Sequence, residues 1–275
     1  MHTYHLTLHH WAAFSPKRKE PGEWANWALG ASRASANPAG PYKPDLPGVP
    51  AMLRRRLSAM GKAALWCAGQ VLDANTGPEP VTSIFCSQHG EVSRTVALLK
   101  DLAEHSPLSP ASFSLSVHNA IGGIHSIAGD VEHSITAIAA GPDSPFSALL
   151  EAWSQLRFRQ LQGGTSGRAL CVIYDDALPE EVTDPEARRG DVQAMALLVS
   201  CGKVPEAGEH TGDGLAFSLT LADKADADEG PCSDAAIDTL LKFVLDDEVS
   251  RASFQGDGRS WSCSRQNHGM PRAGS

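Results

Sequence analysis

Apolar residues in this chain fall in short blocks that alternate between strand spacing and helix spacing, and few folds accept that alternation. Tyr4, Leu6 and Leu8 alternate as in a strand, which places an opening strand over residues 3–8. Leu53, Leu57, Met60, Ala64, Cys67 and Val71 recur at steps of three and four, and predict one strong helix. A turn at Asn75-Thr76-Gly77-Pro78 leads to a short apolar strand from Val81 to Cys86. A second helix carries Val92, Val96, Leu99 and Leu102 and stops at Pro107 and Pro110. Residues 113–129 predict a buried helix of small residues, whose double glycine at 122–123 implies close backbone packing. SITAIAA at 134–140 reads as a strand. After Gly141-Pro142-Asp143 comes a helix with Phe146, Leu149, Leu150, Trp153 and Leu156 on its apolar face. Leu170–Tyr174, Met195–Cys201 and Leu215–Leu221 read as strands, and Ser233 as the cap of a helix carrying Ile237, Leu240, Leu241, Val244 and Leu245. Strand–helix alternation over the first two-thirds implies an α/β layered fold around a largely parallel sheet.

Two stretches interrupt the alternation. Residues 15–50 are rich in proline and charge and predict a long surface excursion, with one packed helical turn at Trp24 and Trp27. The tail from Ser264 is expected to fray. We therefore expect one domain over residues 1–245, with 246–275 a C-terminal strand or tail of unassigned role.

Charge and composition exclude several function classes. A net charge of −9 opposes non-specific nucleic-acid binding, and no GxGxxG or Walker motif follows any strand. The six cysteines (Cys67, Cys86, Cys171, Cys201, Cys232 and Cys263) contain no CxxC pair, and four lie in apolar segments as small hydrophobes. His5, His9 and His10 lack the spacing and neighbours of a metal site, so no metal and no cofactor is expected. The opening MHTYHLTLHHW lacks a charged region followed by an apolar core, and no apolar stretch is long enough to span a bilayer, so a cytoplasmic location is expected.

Three residue groups remain as candidates. Arg54, Arg55 and Arg56 form a local basic patch, either a solvated helix face or a docking point for an acidic partner. Cys86 and His89 lie just after a strand, where α/β folds often place chemistry, and would support acyl transfer if thiol and imidazole met. Ser116, His118 and Asn119 precede the SITAIAA strand, with Phe113 before them and His125 further on.

Three stretches together resemble a known family: PAMLRRRLSAMGKAAL at 50–65, FCSQHGEVSRTVALLKDL at 85–102, and LSPASFSLSVHNAIGGIHSIAG running on through SITAIAAGPDSPFSALLEAW to residue 153. They are similar to the β-ketoacyl synthase-like N-terminal domains found beside polyene and related polyketide genes. The resemblance covers roughly residues 1–220, with no family pattern for 222–275. It implies a thiolase-like half, an α/β/α layered fold with a mixed, largely parallel five-stranded inner sheet.

The resemblance also implies what is missing. The family's nucleophile strand ends in a Thr-Ala-Cys elbow, and laid without gaps its alanine falls on Ala140 and its cysteine on Gly141. The family's two histidines belong to a C-terminal half that does not fit in this length, and His268 lies in the tail without a glycine-rich loop. The implied role is a chain-length-factor-like subunit with no catalytic residues. It would pair with an active β-ketoacyl synthase as a heterodimer and act with an acyl carrier protein in polyene, aryl-polyene or fatty-acid-like assembly. Phe113, Ser116, His118, Asn119, Ile135 and Ala137 would line the acyl tunnel or partner interface, and Arg54, Arg55 and Arg56 would dock the carrier protein. His118 is alternatively a core histidine bonded to a backbone carbonyl. An independent acyltransferase using Cys86 and His89, or a homodimeric carrier-binding scaffold, are the other readings.

Overall fold

The computed structural model describes residues 2–30, 41–75, 80–164, 167–182, 191–202, 214–223, 235–257 and 259–266. Cys232, Ser233 and His268 lie outside them.

β2 (Val81–Cys86), β3 (Ile135–Ile138) and β4 (Arg168–Asp175) form the parallel part of one mixed sheet, with β2 in the middle. β5 (Gln193–Cys201) runs antiparallel to β4, and β1 (His2–Phe14) antiparallel to β5. β6 (Leu215–Asp223), β8 (Arg259–Arg265) and β7 (Arg251–Gln255) complete eight strands in the order β3-β2-β4-β5-β1-β6-β8-β7. The α/β layering expected from the sequence is present. The sheet is larger than the expected five strands, and antiparallel pairings outnumber parallel ones. The reason is the position of β1: the first strand inserts between β5 and β6, a long-range pairing that local spacing does not report.

Strands β4 and β5 are buried on both faces. Ala169, Cys171, Ile173, Met195, Leu197 and Val199 face one core, and Leu170, Val172, Tyr174, Ala194, Ala196 and Leu198 the other. The first core is covered by α7 (Ser144–Leu161) and α8 (Ala236–Leu245), through Phe146, Leu149, Leu156, Leu240 and Leu241. The second is covered by α3 (Ala59–Ala74) and α6 (Ala120–Gly129), through Met60, Ala64, Cys67, Ile121 and Ile124.

Several expected boundaries move. The single helix through Leu53 and Val71 is two helices, α2 (Ala51–Arg54) and α3, because the Ser58 hydroxyl accepts the Gly61 N–H at 3.0 Å and starts a new helix. The apolar stripe spans the break because both segments pack on the same core. Residues 113–129 are likewise divided into α5 (Pro110–Ser114) and α6, with Phe113 exposed. Only one of the paired glycines is packed closely: a Cβ on Gly122 would lie 3.0 Å from Ile135, while one on Gly123 would meet nothing within 4 Å. The Trp24 turn is a full helix, α1 (Pro21–Ala28), whose Trp24 is buried and donates its indole N–H to the Ala13 carbonyl at 3.0 Å. That part of the expected excursion is core. Ser264, expected to fray, lies inside β8.

Candidate functional site

Strands β2, β3 and β4 all end at one edge of the sheet, where β1 also ends and β5 begins, so Cys86, Ile138, Asp175, Phe14 and Gln193 mark one rim. The turn from β3 into α7 sits on this rim. Gly141 adopts φ +55°, the left-handed region that favours glycine, and a Cβ there would meet nothing within 4 Å. Ser144, buried, closes the turn: its hydroxyl donates to the Gly141 carbonyl at 2.7 Å and accepts the Ala140 N–H at 3.0 Å. Pro142 precedes the cap residue Asp143, and Pro145 lies in the first turn of α7.

Behind this turn lies a buried carboxylate that the sequence reading did not single out. Asp143 accepts the Trp261 indole N–H at 2.9 Å, and Gly256 comes so close that a Cβ on it would overlap the carboxylate. Phe146, in the first turn of α7, stacks on Phe254 at 5.4 Å and on Trp261 at 5.8 Å. The β7–β8 hairpin, with no motif of its own, is thus bolted to the start of α7. An Asp directly before an apolar helix was the one available signal for Asp143.

The loop after β2 is held by a second carboxylate. Asp175, at the end of β4, accepts the Ser87 hydroxyl at 2.8 Å, the Gln88 N–H at 3.0 Å and the His89 N–H at 3.2 Å. Burial raises its pKa against the lowering effect of those bonds. His118 closes the other side, since its Nε2–H donates to the Ile138 carbonyl at 2.8 Å and so fixes the tautomer. Its ring lies against Gly90, where a Cβ would come within 2.6 Å of Nδ1. His118 makes a backbone-carbonyl bond while lying half-buried rather than in the core, and it ties the start of α6 to the end of β3. His125 is buried with its Nε2 unpartnered, and burial lowers its pKa.

The structure does not assemble Cys86 and His89 into a dyad. The Cys86 thiol is fully buried and donates to the Ser144 carbonyl at 3.1 Å, while His89 is exposed on the loop and no hydrogen bond joins the two. Burial pushes the thiol up to about 12, so it carries no appreciable thiolate at neutral pH. Two of the four β1 histidines are hydrogen-bonded side chain to side chain: His9 with the Ser200 hydroxyl at 2.8 Å, and His5, which accepts from the Gln266 amide at 2.6 Å. Among the described residues no three His, Cys, Asp or Glu side chains gather as metal ligands, and no helix is long and apolar enough to cross a membrane.

Residues 24–264, well over half of the chain, match the family described as β-ketoacyl synthase, N-terminal domain. The chain belongs to that family. The match extends through β7 and β8, where the sequence offered no recognisable pattern. Among curated proteins, none matches this ketosynthase-like chain. Of solved structures, it is similar to a chain of the ketosynthase ApeO in complex with its chain length factor ApeC from Xenorhabdus doucetiae. The two are 25% identical, with 94% of this chain and 99% of that one covered and a TM-score of 0.72. A β-ketoacyl synthase from Burkholderia phymatum, at 11% identity, 88% and 70% coverage and a TM-score of 0.55, shares the fold. So does the ishigamide ketosynthase/chain length factor, at 14%, 82% and 65%, and 0.52.

The remaining residues of the ketosynthase-like chain lie in two places. β3 is one of the sheet's two edge strands, paired among the described residues only with β2, and carries Ile135 half-buried and Ala137 exposed. Beside it, Phe113, Val117 and Ile127 of the α5–α6 layer are exposed to 64%, 45% and 71%. Asn119 caps α6 without a side-chain bond, and the Ser116 hydroxyl donates to the Phe113 carbonyl at 2.9 Å. Arg54, Arg55 and Arg56 are not on one helix face: Arg54 ends α2, and the other two form the turn after it. Arg54 is held by its bond to the Leu46 carbonyl at 3.0 Å, while Arg55 and Arg56 are exposed.

Proposed function

We propose that this chain is a non-catalytic ketosynthase-like subunit of chain-length-factor type, which pairs with an active β-ketoacyl synthase and shapes the tunnel for the growing acyl chain. The observation that carries the reading is Gly141, which has no nucleophile to offer in a turn whose geometry is otherwise complete. The bare edge of β3 and the exposed apolar side chains of the α5–α6 layer support it. An unpaired strand edge with small uncharged side chains beside large exposed apolar ones invites a partner. The ApeO–ApeC pair, one chain of which matches this one almost end to end, supplies the precedent for that partner.

In this reading Ile135 and Ala137 face the partner's strand across a two-fold axis, and Phe113, Ser116 and Asn119 border the tunnel. His118 positions the end of β3. Arg54, Arg55 and Arg56 dock an acidic acyl carrier protein, and the product is a polyene or aryl-polyene chain.

The test is co-expression with a catalytically complete ketosynthase from the same genome, read by size-exclusion chromatography with light scattering. A one-to-one complex is expected, and Ala137→Arg on the edge strand should dissolve it while leaving the fold intact. Phe113→Ala should shift the product-length distribution within the intact complex. A lone monomer or homodimer, with product lengths unchanged on deletion, overturns the proposal.

A further inference from the structure

On the α3 face of the rim, away from the Asp143–Trp261 cluster, the structure holds a cavity of about 460 Å³ lined by Phe14, Pro16, Tyr42, Lys43, Pro44, Arg54, Arg55, Ala59, Lys62 and Val192. Its size lies within the range of small-molecule sites, roughly 300–1,000 Å³. Its lining is unusual for a chain of net charge −9: four basic side chains and no Asp or Glu. Of the carboxylates nearest in sequence, Asp45 lines a separate hollow beside Lys19 and Trp66, Asp191 pairs with Lys17, and Glu23 accepts the Tyr42 hydroxyl and the Lys19 and Glu20 N–H groups.

Among the described residues, Lys43, Arg54, Arg55 and Lys62 make no ion pair. Like charges lining one hollow repel, and a multivalent anion relieves that repulsion. The bond from Arg54 to the Leu46 carbonyl fixes one guanidinium before any ligand arrives. Ala59 opens α3, a 16-residue helix, so the positive end of its dipole adds to the wall. The other wall is apolar, formed by Phe14, Pro16, Pro44 and Val192.

We infer that this cavity binds a phosphate ester, its phosphate among Lys43, Arg54, Arg55 and Lys62 and its organic part against Phe14, Pro44 and Val192. A free small-molecule phosphate ester and the phosphodiester of a carrier protein's prosthetic arm share this chemistry. The site requires no pairing with a ketosynthase, although it shares Arg54 and Arg55 with the proposed docking face.

The test titrates the purified chain calorimetrically with pantetheine 4′-phosphate, with unphosphorylated pantetheine and inorganic phosphate as controls, and then with apo and holo carrier protein. Arg55→Gln with Lys43→Gln is the test variant, because both side chains are exposed on the rim. An unchanged melting temperature and unchanged co-elution with the ketosynthase establish that it is folded. Binding of the free ester but not of pantetheine, weakened at least about tenfold in the variant and by added salt, is expected if free esters are the source. If the carrier is the source, holo protein should bind at least about tenfold tighter than apo, and the variant should erase that difference. Absence of any phosphate-dependent binding overturns the inference. Equal binding of apo and holo carrier, lost in the variant, with no binding of the free ester, also overturns it while leaving the docking face in place.

Discussion

Gly256 has no left-handed φ, so its need for glycine is one of space alone. A Cβ would overlap the Asp143 carboxylate, which is short, buried and already bonded to Trp261. The carboxylate cannot swing aside without losing the indole N–H. Gly256→Ala should therefore cost about 1–3 kcal/mol, the range for overpacking a filled site. Trp261→Phe should cost a similar amount, because it strands a buried acceptor and removes part of the stack on Phe146. Both act on one contact, so the double variant in urea denaturation should fall well short of the sum. Full additivity would mean that the hairpin and α7 are not coupled through Asp143. Gly141 presents the opposite case, with open space and a constrained backbone. Gly141→Ala should lose about 1 kcal/mol of stability from φ alone, with ketosynthase pairing unchanged in the same co-elution measurement.

Helix α3 shows how far local spacing carries and where it stops. The three-and-four periodicity through Met60, Ala64, Cys67 and Val71 identified its buried face. The break before it was written in Ser58, which the longer stripe through Leu53 and Leu57 concealed. Ser58 caps α3 and donates to the Glu91 carboxylate at 2.7 Å, joining α3 to the start of α4 (Val92–Ala103). Ser58→Ala should accordingly cost about 1–2 kcal/mol by thermal or urea melting, the upper part of the cap range because two bonds go at once. A loss within a few tenths would show that another residue caps α3. β3 and the helix after it were legible because a resemblance, a strand signal and a turn coincided over a few residues. Strands β1, β5 and β6 of the antiparallel half were legible as strands, but their pairing was not. β1 lies between β5 and β6, with Leu6 opposite Cys201 on one side and Phe217 on the other, and no local pattern encodes partners about 200 residues away. Asp175 and Trp261 were missed for the same reason, since their roles arise only when the ends of distant strands meet.

The two cores enclose thiols that never meet water, and this gives the chain a pH response. Cys67, Cys86, Cys171 and Cys263 are all fully buried. Burial pushes Cys86 and Cys263 up to about 12, and raises Cys67 and Cys171 strongly as well. In the unfolded chain a thiol ionises near 8.5. Between roughly pH 8.5 and 12 the unfolded state therefore gives up protons that the folded state keeps. The contribution is fully present below that window, and stability falls as pH rises through it, by up to about 1.4 kcal/mol per pH unit for each thiol. Urea midpoints measured from pH 7.5 to 10 should be flat at first and then descend. Cys86→Ala should make the descent shallower by about one thiol's share, after allowance for its constant cavity cost. Iodoacetamide at pH 8 should leave Cys86 unlabelled in the native protein and modify it on unfolding, because only about one molecule in ten thousand would carry the thiolate. Rapid native labelling of Cys86 would show that water and reagent reach the end of β2. It would also reopen acyl transfer at that cysteine, so the same experiment bears on stability and on whether the subunit has chemistry of its own.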